Sequence, residues 1–116
     1  MNAKGEKVYR LLLKVPKGKV TTYGAVARAL GSKSLARFVG TCMRKNSHPE
    51  TFPCYKVVRS DLSAGGFMGK TQGAAIRQKI FLLRKDGAGF ANGRVNADCL
   101  WRFPKNLHPK RTQPLP

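Results

Sequence analysis

Apolar residues recur at helical spacing in four stretches of this chain, and each stretch is cut short by proline, glycine or a polar loop. Val8, Leu11, Leu12 and Val15 fall at i, i+3, i+4 and i+7, the spacing of one helix face. Pro16-Lys17-Gly18 ends that stretch, because proline cannot continue a helix and glycine suits the turn. The β-branched run Val20-Thr21-Thr22 follows, and either threonine can cap a second helix over 23–30 with Val26, Ala27 and Leu30 inward. Gly31 is its expected C′ residue. Ser32 or Ser34 then opens a third helix over 35–45, with Leu35, Phe38, Val39, Cys42 and Met43 on one side. Two short helices with glycine at the corner form a helix-turn-helix pattern, and Arg37, Arg44 and Lys45 make its second helix basic.

The rest is less regular. Residues 46–53 are polar with two prolines and predict a loop, and 54–59 predict a short extended segment. The Gly- and Ser-rich stretch 60–73, with Phe67 and Met68, predicts a mobile surface loop. A last helix over 74–85 carries Ile76, Ile80 and Leu83 at i, i+4 and i+7 and stops at Asp86-Gly87. Phe90, Val95, Leu100, Trp101 and Phe103 are apolar points in a loop-rich stretch that packs back on the body. These elements predict a mainly α, small winged-helix-like domain with a helix-turn-helix and a short extended active-site segment. It spans 1–103, with a basic, proline-containing tail over 104–116. At 116 residues a second core does not fit, since chains of this size bury only about two-thirds of their unfolded surface.

Charge narrows the partner. The 23 Lys+Arg against 5 Asp+Glu give a net +18, which points to a polyanion: DNA, RNA or an anionic membrane surface. No apolar run is long enough for a transmembrane helix, and no apolar signal-peptide core follows residues 1–7, so the expected location is intracellular. Three cysteines there fit thiols rather than a disulfide framework. Among them Cys54, in Pro53-Cys54-Tyr55-Lys56-Val57-Val58, is the candidate nucleophile: Lys56 and a positive overall field favour its thiolate. The alternative is a small buried hydrophobe. Cys42 reads as core and Cys99 is isolated. His48 and His108 lack partners at metal-site spacing, so no metal is assigned.

Several of these runs together resemble the DNA-binding domain of the O6-alkylguanine-DNA alkyltransferases. They are the stretch from Val15 through Val20-Thr21-Thr22-Tyr23 to Gly31, Ala36-Arg37-Phe38-Val39-Gly40, Met43-Arg44-Lys45-Asn46 and the Pro-Cys segment, in the family's order and ungapped from Tyr23 to Val58. Leu82-Leu83, Asp86-Gly87, Gly93-Arg94-Val95 and Trp101 resemble the end of compact members, so the similarity covers about 5–103. The resemblance implies minor-groove binding to duplex DNA, extrusion of an O6-alkylguanine, and irreversible transfer of the alkyl group to Cys54, by a monomer without a cofactor. Reaching O6 requires flipping because a stacked, paired base hides it.

By the same resemblance Arg37 enters the space left by the base, Arg44 and Lys45 contact DNA, and Tyr23 rotates the nucleotide and lines the pocket. Asn46 supports the active-site turn, Val57 offers its carbonyl to the guanine amine, and Phe67-Met68 lie in the lid. Tyr55 stands where the family usually has histidine, and Asp86 where it has glutamate, in the relay that draws off the thiol proton. Lys56 replaces the usual arginine. Lys79 has a family counterpart that bonds near the tyrosine and asparagine, but as a lysine on a helix it reads as solvated. The chain has the size of the non-enzymatic alkyltransferase-like proteins, which sense the lesion and recruit another repair protein; unlike them it keeps the acceptor cysteine. A general basic DNA-packing protein is the reading from a different class.

Overall fold

The structure, a computed structural model, describes residues 3–49, 51–67, 70 and 72–104. Helix α1 (Ala3–Leu12) buries Val8, Leu11 and Leu12 on the face that the spacing predicts. Beyond Leu12 the chain keeps turning with i→i−3 bonds from Leu13, Lys14 and Val15 (3.0–3.2 Å), so the helical pattern of the sequence outlasts the α-helix by a tightened turn. Strand β1 (Thr21–Thr22) leads straight into helix α2 (Tyr23–Leu30). Thr22 Oγ1 accepts the Ala25 N–H at 3.0 Å, a side-chain cap that fixes where α2 begins. Gly31 ends it at φ +136°: its N–H reaches Arg28 O, and the Ser32 N–H reaches Ala27 O at 3.1 Å. That pair of bonds requires a backbone that glycine adopts without strain.

Ser32 caps a 3-10 turn, Lys33–Leu35, and helix α3 (Ala36–Lys45) follows, starting one residue later than the sequence predicts. Val39, Cys42 and Met43 are its buried face. The segment 54–59, expected to be extended, is divided: Cys54–Lys56 is a 3-10 turn and only Val57–Val58 is strand β2. Strand β2 pairs parallel with β1, Thr21 opposite Val57 and Thr22 opposite Val58. Helix α4 (Ala74–Asp86) ends at Gly87. Strands β3 (Phe90–Ala91) and β4 (Arg94–Val95) then form an antiparallel hairpin around Asn92-Gly93, both at positive φ. The Asn-Gly turn is a hairpin signal that reading the stretch as loop passed over. Residues 99–101 lie beside Val20, whose N–H and C=O bond Cys99 O and Trp101 N at 2.8 Å. The result is a mainly helical domain with a small hairpin wing.

Strand β2 divides the core. Val57 packs with Cys54, Val8, Leu12, Val26, Val39, Met43 and Phe67, while Val58 packs with Val20, Leu83, Ala88 and Val95. Successive residues of a strand face opposite ways, so two residues after the Cys54 turn serve both clusters.

Beside them Thr21 is fully buried, and among the described residues its Oγ1 has no hydrogen-bond partner. A buried hydroxyl without a partner is unfavourable by about 1–3 kcal/mol. Thr21→Val keeps the shape and removes the hydroxyl, so urea unfolding should show a gain of about 1 kcal/mol. A loss of similar size would mean that the hydroxyl is satisfied.

Candidate active site

Cys54 sits where loop, turn and strand meet. Its N–H donates to Phe52 O at 2.7 Å, the Val57 N–H closes the turn onto its carbonyl, and its side chain is buried in the core. The loop before it is shaped by Asn46, the residue that ends α3 and is itself buried. Asn46 Nδ2 donates to Phe52 O at 2.7 Å, while its Oδ1 accepts the His48 N–H at 3.0 Å. One short amide therefore holds both ends of a tight loop, a task suited to asparagine.

Burial pushes the Cys54 thiol up from its ordinary value. Hydrogen bonding from the Asn46 side chain and the charge of Lys79 pull the other way. The thiolate support expected from Lys56 is not found. Lys56 is buried on another side of the turn, with Nζ on Val15 O (3.2 Å), Pro16 O (2.8 Å) and Asp86 Oδ2 (3.0 Å). That carboxylate also accepts the Gly18 N–H at 2.8 Å.

Lys79 corrects the sequence reading most sharply. It is fully buried, not solvated, and donates to Val57 O (2.8 Å), Ala64 O (2.5 Å) and Gly66 O (2.9 Å). Desolvation pushes its pKa down to about 7, with the neighbouring Cys54 opposing the shift. The signal was in the helix repeat: Ile76, Lys79, Ile80 and Leu83 share one stripe, and a lysine on that stripe faces the core.

Lys79 also changes the picture of the lid. Ala64, Gly65 and Phe67 are buried, so this part of the 60–73 loop packs on the core rather than lying on the surface, while Ser60, Asp61, Lys70, Gln72 and Gly73 are exposed. Gly65 has φ +74°, and a Cβ there would lie 3.2 Å from the Tyr23 hydroxyl, so any side chain would be strained and would crowd that ring. Phe67 and Lys70 exchange backbone hydrogen bonds at 2.9 and 3.0 Å. Met68 lies outside the described residues.

Tyr23, at the start of α2, lies half-buried against the same cluster as Cys54. Desolvation raises its phenol pKa, and the Arg59 charge opposes this. Val57 is buried, and its carbonyl carries the Lys79 bond on one of two lone pairs. Tyr55 and Asp86 line one cleft of about 470 Å³ with Lys17, Pro49, Gln78, Leu82 and Lys85. Burial first, then the Asp86 and Cys54 charges, push the Tyr55 phenol up, so it holds its proton at neutral pH. Arg37, Arg44 and Lys45 are exposed on α3, and the Arg44 charge acts on Tyr23. Arg44 Nη2 donates to Thr41 Oγ1 at 3.0 Å, and that hydroxyl donates to Arg37 O, so Thr41 links the two arginine positions along the helix.

A helix-turn-helix with an exposed basic second helix thus accompanies a buried Pro-Cys turn that carries a thiol. The family model for the DNA-binding domain of 6-O-methylguanine DNA methyltransferase matches residues 4–88, and the chain belongs to that family. A bifunctional methyltransferase/endonuclease of Picrophilus torridus is 44% identical over 89 residues, 77% of this chain and 28% of that protein. The methylated-DNA–protein-cysteine methyltransferase of Pyrobaculum aerophilum is 43% identical over 77 residues, 66% of this chain and 47% of that protein. The chain thus spans less than half the length of either curated relative. Among solved structures, Schizosaccharomyces pombe Atl1 in complex with damaged DNA containing O6-carboxymethylguanine superposes with a TM-score of 0.74 at 29% identity, over 88% of this chain and 97% of that one.

The Lys56–Asp86 pair ties the Cys54 turn to the end of α4. Removing one partner of a buried pair strands the other charge. Asp86→Ala should lower stability by roughly 2–3 kcal/mol in urea unfolding. A change below about 0.5 kcal/mol, the size typical of exposed pairs, would show that the pair holds nothing.

Proposed function

We propose that this domain binds duplex DNA through α2 and α3, extrudes an O6-alkylguanine, and takes its alkyl group onto Cys54. The observation that carries this reading is the surroundings of the thiol: burial raises the Cys54 pKa, an asparagine amide and a lysine charge oppose that rise, and Tyr23 lies in the same cluster. A packing protein would need charge alone. In the transfer the Cys54 thiolate supplies the electron pair of a new S–C bond. The C–O6 bond breaks with its pair left on guanine oxygen, and a proton equivalent to the one the thiol lost restores guanine. No other reactant is required.

Arg37, exposed at the start of α3, would fill the space that the extruded base leaves, with Arg44 and Lys45 on phosphates. The net +18 supplies the sequence-independent attraction of a lesion scanner. Tyr55, which keeps its proton, cannot act as the base. With Asp86 held by Lys56 and Gly18, a thiol–Tyr55–carboxylate relay is compromised. That observation, with the likeness to Atl1, favours a second reading: a sensor that holds the lesion for another repair protein without transfer.

Intact mass after incubation with an O6-methylguanine duplex separates the readings. Transfer predicts a gain of one methyl group, mapped to the Cys54 peptide and absent from Cys54→Ser. Tight, lesion-selective binding with unchanged mass would leave the sensor, and equal affinity for undamaged duplex would end both. Arg37→Ala should cost about 1–3 kcal/mol of lesion discrimination, whereas Lys45→Ala should weaken all duplexes alike and lower the salt slope by about 1. A uniform loss from Arg37→Ala would make it a phosphate contact instead.

A further inference from the structure

Arg59 is the first residue after strand β2, and the main chain fixes its place on both sides. Its N–H donates to Ser63 O at 3.0 Å, and its carbonyl accepts the Leu62 N–H at 2.7 Å. This tight turn is tied to the hairpin wing: the Val95 N–H donates to Leu62 O at 2.8 Å, and Ser63 pairs with Arg94. The Arg59 side chain then runs over Gly65. A Cβ at Gly65 would lie 3.5 Å from Arg59 Cγ and 3.2 Å from the Tyr23 hydroxyl, so the arginine stem and the tyrosine ring meet across that glycine. Burial raises the Tyr23 phenol pKa and the Arg59 charge pulls it back, in keeping with that approach.

The guanidinium itself is uncommitted. Arg59 is exposed, and among the described residues no carboxylate lies within ion-pair distance of it. Asp61, two positions on, instead accepts the N–H and hydroxyl of Ser63 on its Oδ1 at 2.9 and 2.6 Å. An arginine held by its stem, with a free planar fork, is suited to a phosphate.

We propose that the Arg59 guanidinium binds a phosphate adjoining the extruded nucleotide, across Gly65 from the Tyr23 hydroxyl. The inference rests on the reading that a damaged base is extruded past Tyr23, and it extends the DNA interface from α3 to the turn after β2. Arg37, Arg44 and Lys45 hold the duplex from α3. An extruded nucleotide carries its flanking phosphates out of the helical path, and Arg59 is the cation mounted beside Tyr23 to meet them. The contact forms only when the base has left the stack, so it favours the extruded state over the paired one. Undamaged pairs, which cost more to open, gain little from it. The wing acquires a role as well, because it holds the turn that carries Arg59.

Arg59 is exposed and its main chain makes its hydrogen bonds, so Arg59→Met keeps both the stem and the fold. Binding of the full chain to a duplex with one O6-methylguanine, and to the same duplex undamaged, is measured against salt concentration. Arg59→Met should weaken binding to the damaged duplex roughly tenfold and lower its salt slope by about 1, with less than about a twofold change on the undamaged one. Arg59→Lys, which keeps the charge, should recover most of the loss. An equal loss on both duplexes, or none on either, would overturn the proposal. A parent with no preference for the damaged duplex would end the extrusion reading and this proposal with it, whereas a discriminating parent matched by Arg59→Met would end the proposal alone.

A second measurement locates the phosphate. Each phosphate flanking the lesion is replaced in turn by an uncharged methylphosphonate. At one of the two positions the replacement should weaken the parent and leave Arg59→Met unchanged, the non-additivity of groups in contact. Equal losses in parent and variant at both positions would overturn the proposal.

Discussion

Among the described residues two lysines are buried, in a chain that has five acidic residues to neutralise 23 basic ones, and the way they are accommodated shapes the surroundings of Cys54. A buried ammonium is strongly unfavourable unless its three N–H bonds find acceptors. Lys56 finds two main-chain carbonyls and the Asp86 carboxylate, while Lys79 finds three carbonyls. Because carbonyls are fixed to the backbone, each lysine ties segments together as a side-chain pair could not. Lys56 joins the Cys54 turn to the loop after α1 and to the end of α4, and Lys79 joins β2 to the 64–66 loop. The turn that carries the thiol and the strand after it are thus each tied to distant segments by a buried lysine.

The helical half of the fold was legible because its signals are local. Thr22 caps α2 with its own hydroxyl and Gly31 ends it through its positive φ, so both boundaries are written in single residues. The basic exposure of Arg37, Arg44 and Lys45 follows equally from the periodicity of α3. What was not legible depends on contacts far apart in sequence. Val57–Val58 is a strand because Thr21–Thr22 lies beside it, and no property of 54–59 alone marks where the turn stops and the strand begins. The 64–67 segment packs inward against Lys79 and Tyr23, a burial that a composition rich in Gly and Ser does not announce. Lys79 itself was misjudged because lysine is ordinarily solvated, although its place on the Ile76–Leu83 stripe spoke against that.

The candidate site divides in the same way. Residue types and order in 15–58 were enough to bring Tyr23, Arg37, Asn46 and Cys54 into view, and the structure sets Tyr23 and Asn46 around the thiol while Arg37 is exposed on α3. The electrostatics were not readable from order. Lys56, adjacent in sequence, is turned toward Asp86, whereas Lys79, 25 positions on, supplies the charge that favours the thiolate. Tyr55 shares a cleft with Asp86 yet keeps its proton, so it is not a base for the Cys54 thiol at neutral pH. Belonging to the family does not decide between transfer and sensing; the reactivity of Cys54 does.

The direct measurement is made on the DNA. A duplex with one O6-methylguanine is mixed with increasing amounts of the protein, and its nucleosides are then quantified. The account predicts that unmodified deoxyguanosine appears mole for mole with the protein added and stops there, because each Cys54 accepts one group. Recovery of all the O6-methyldeoxyguanosine from a duplex fully bound by the protein would contradict it.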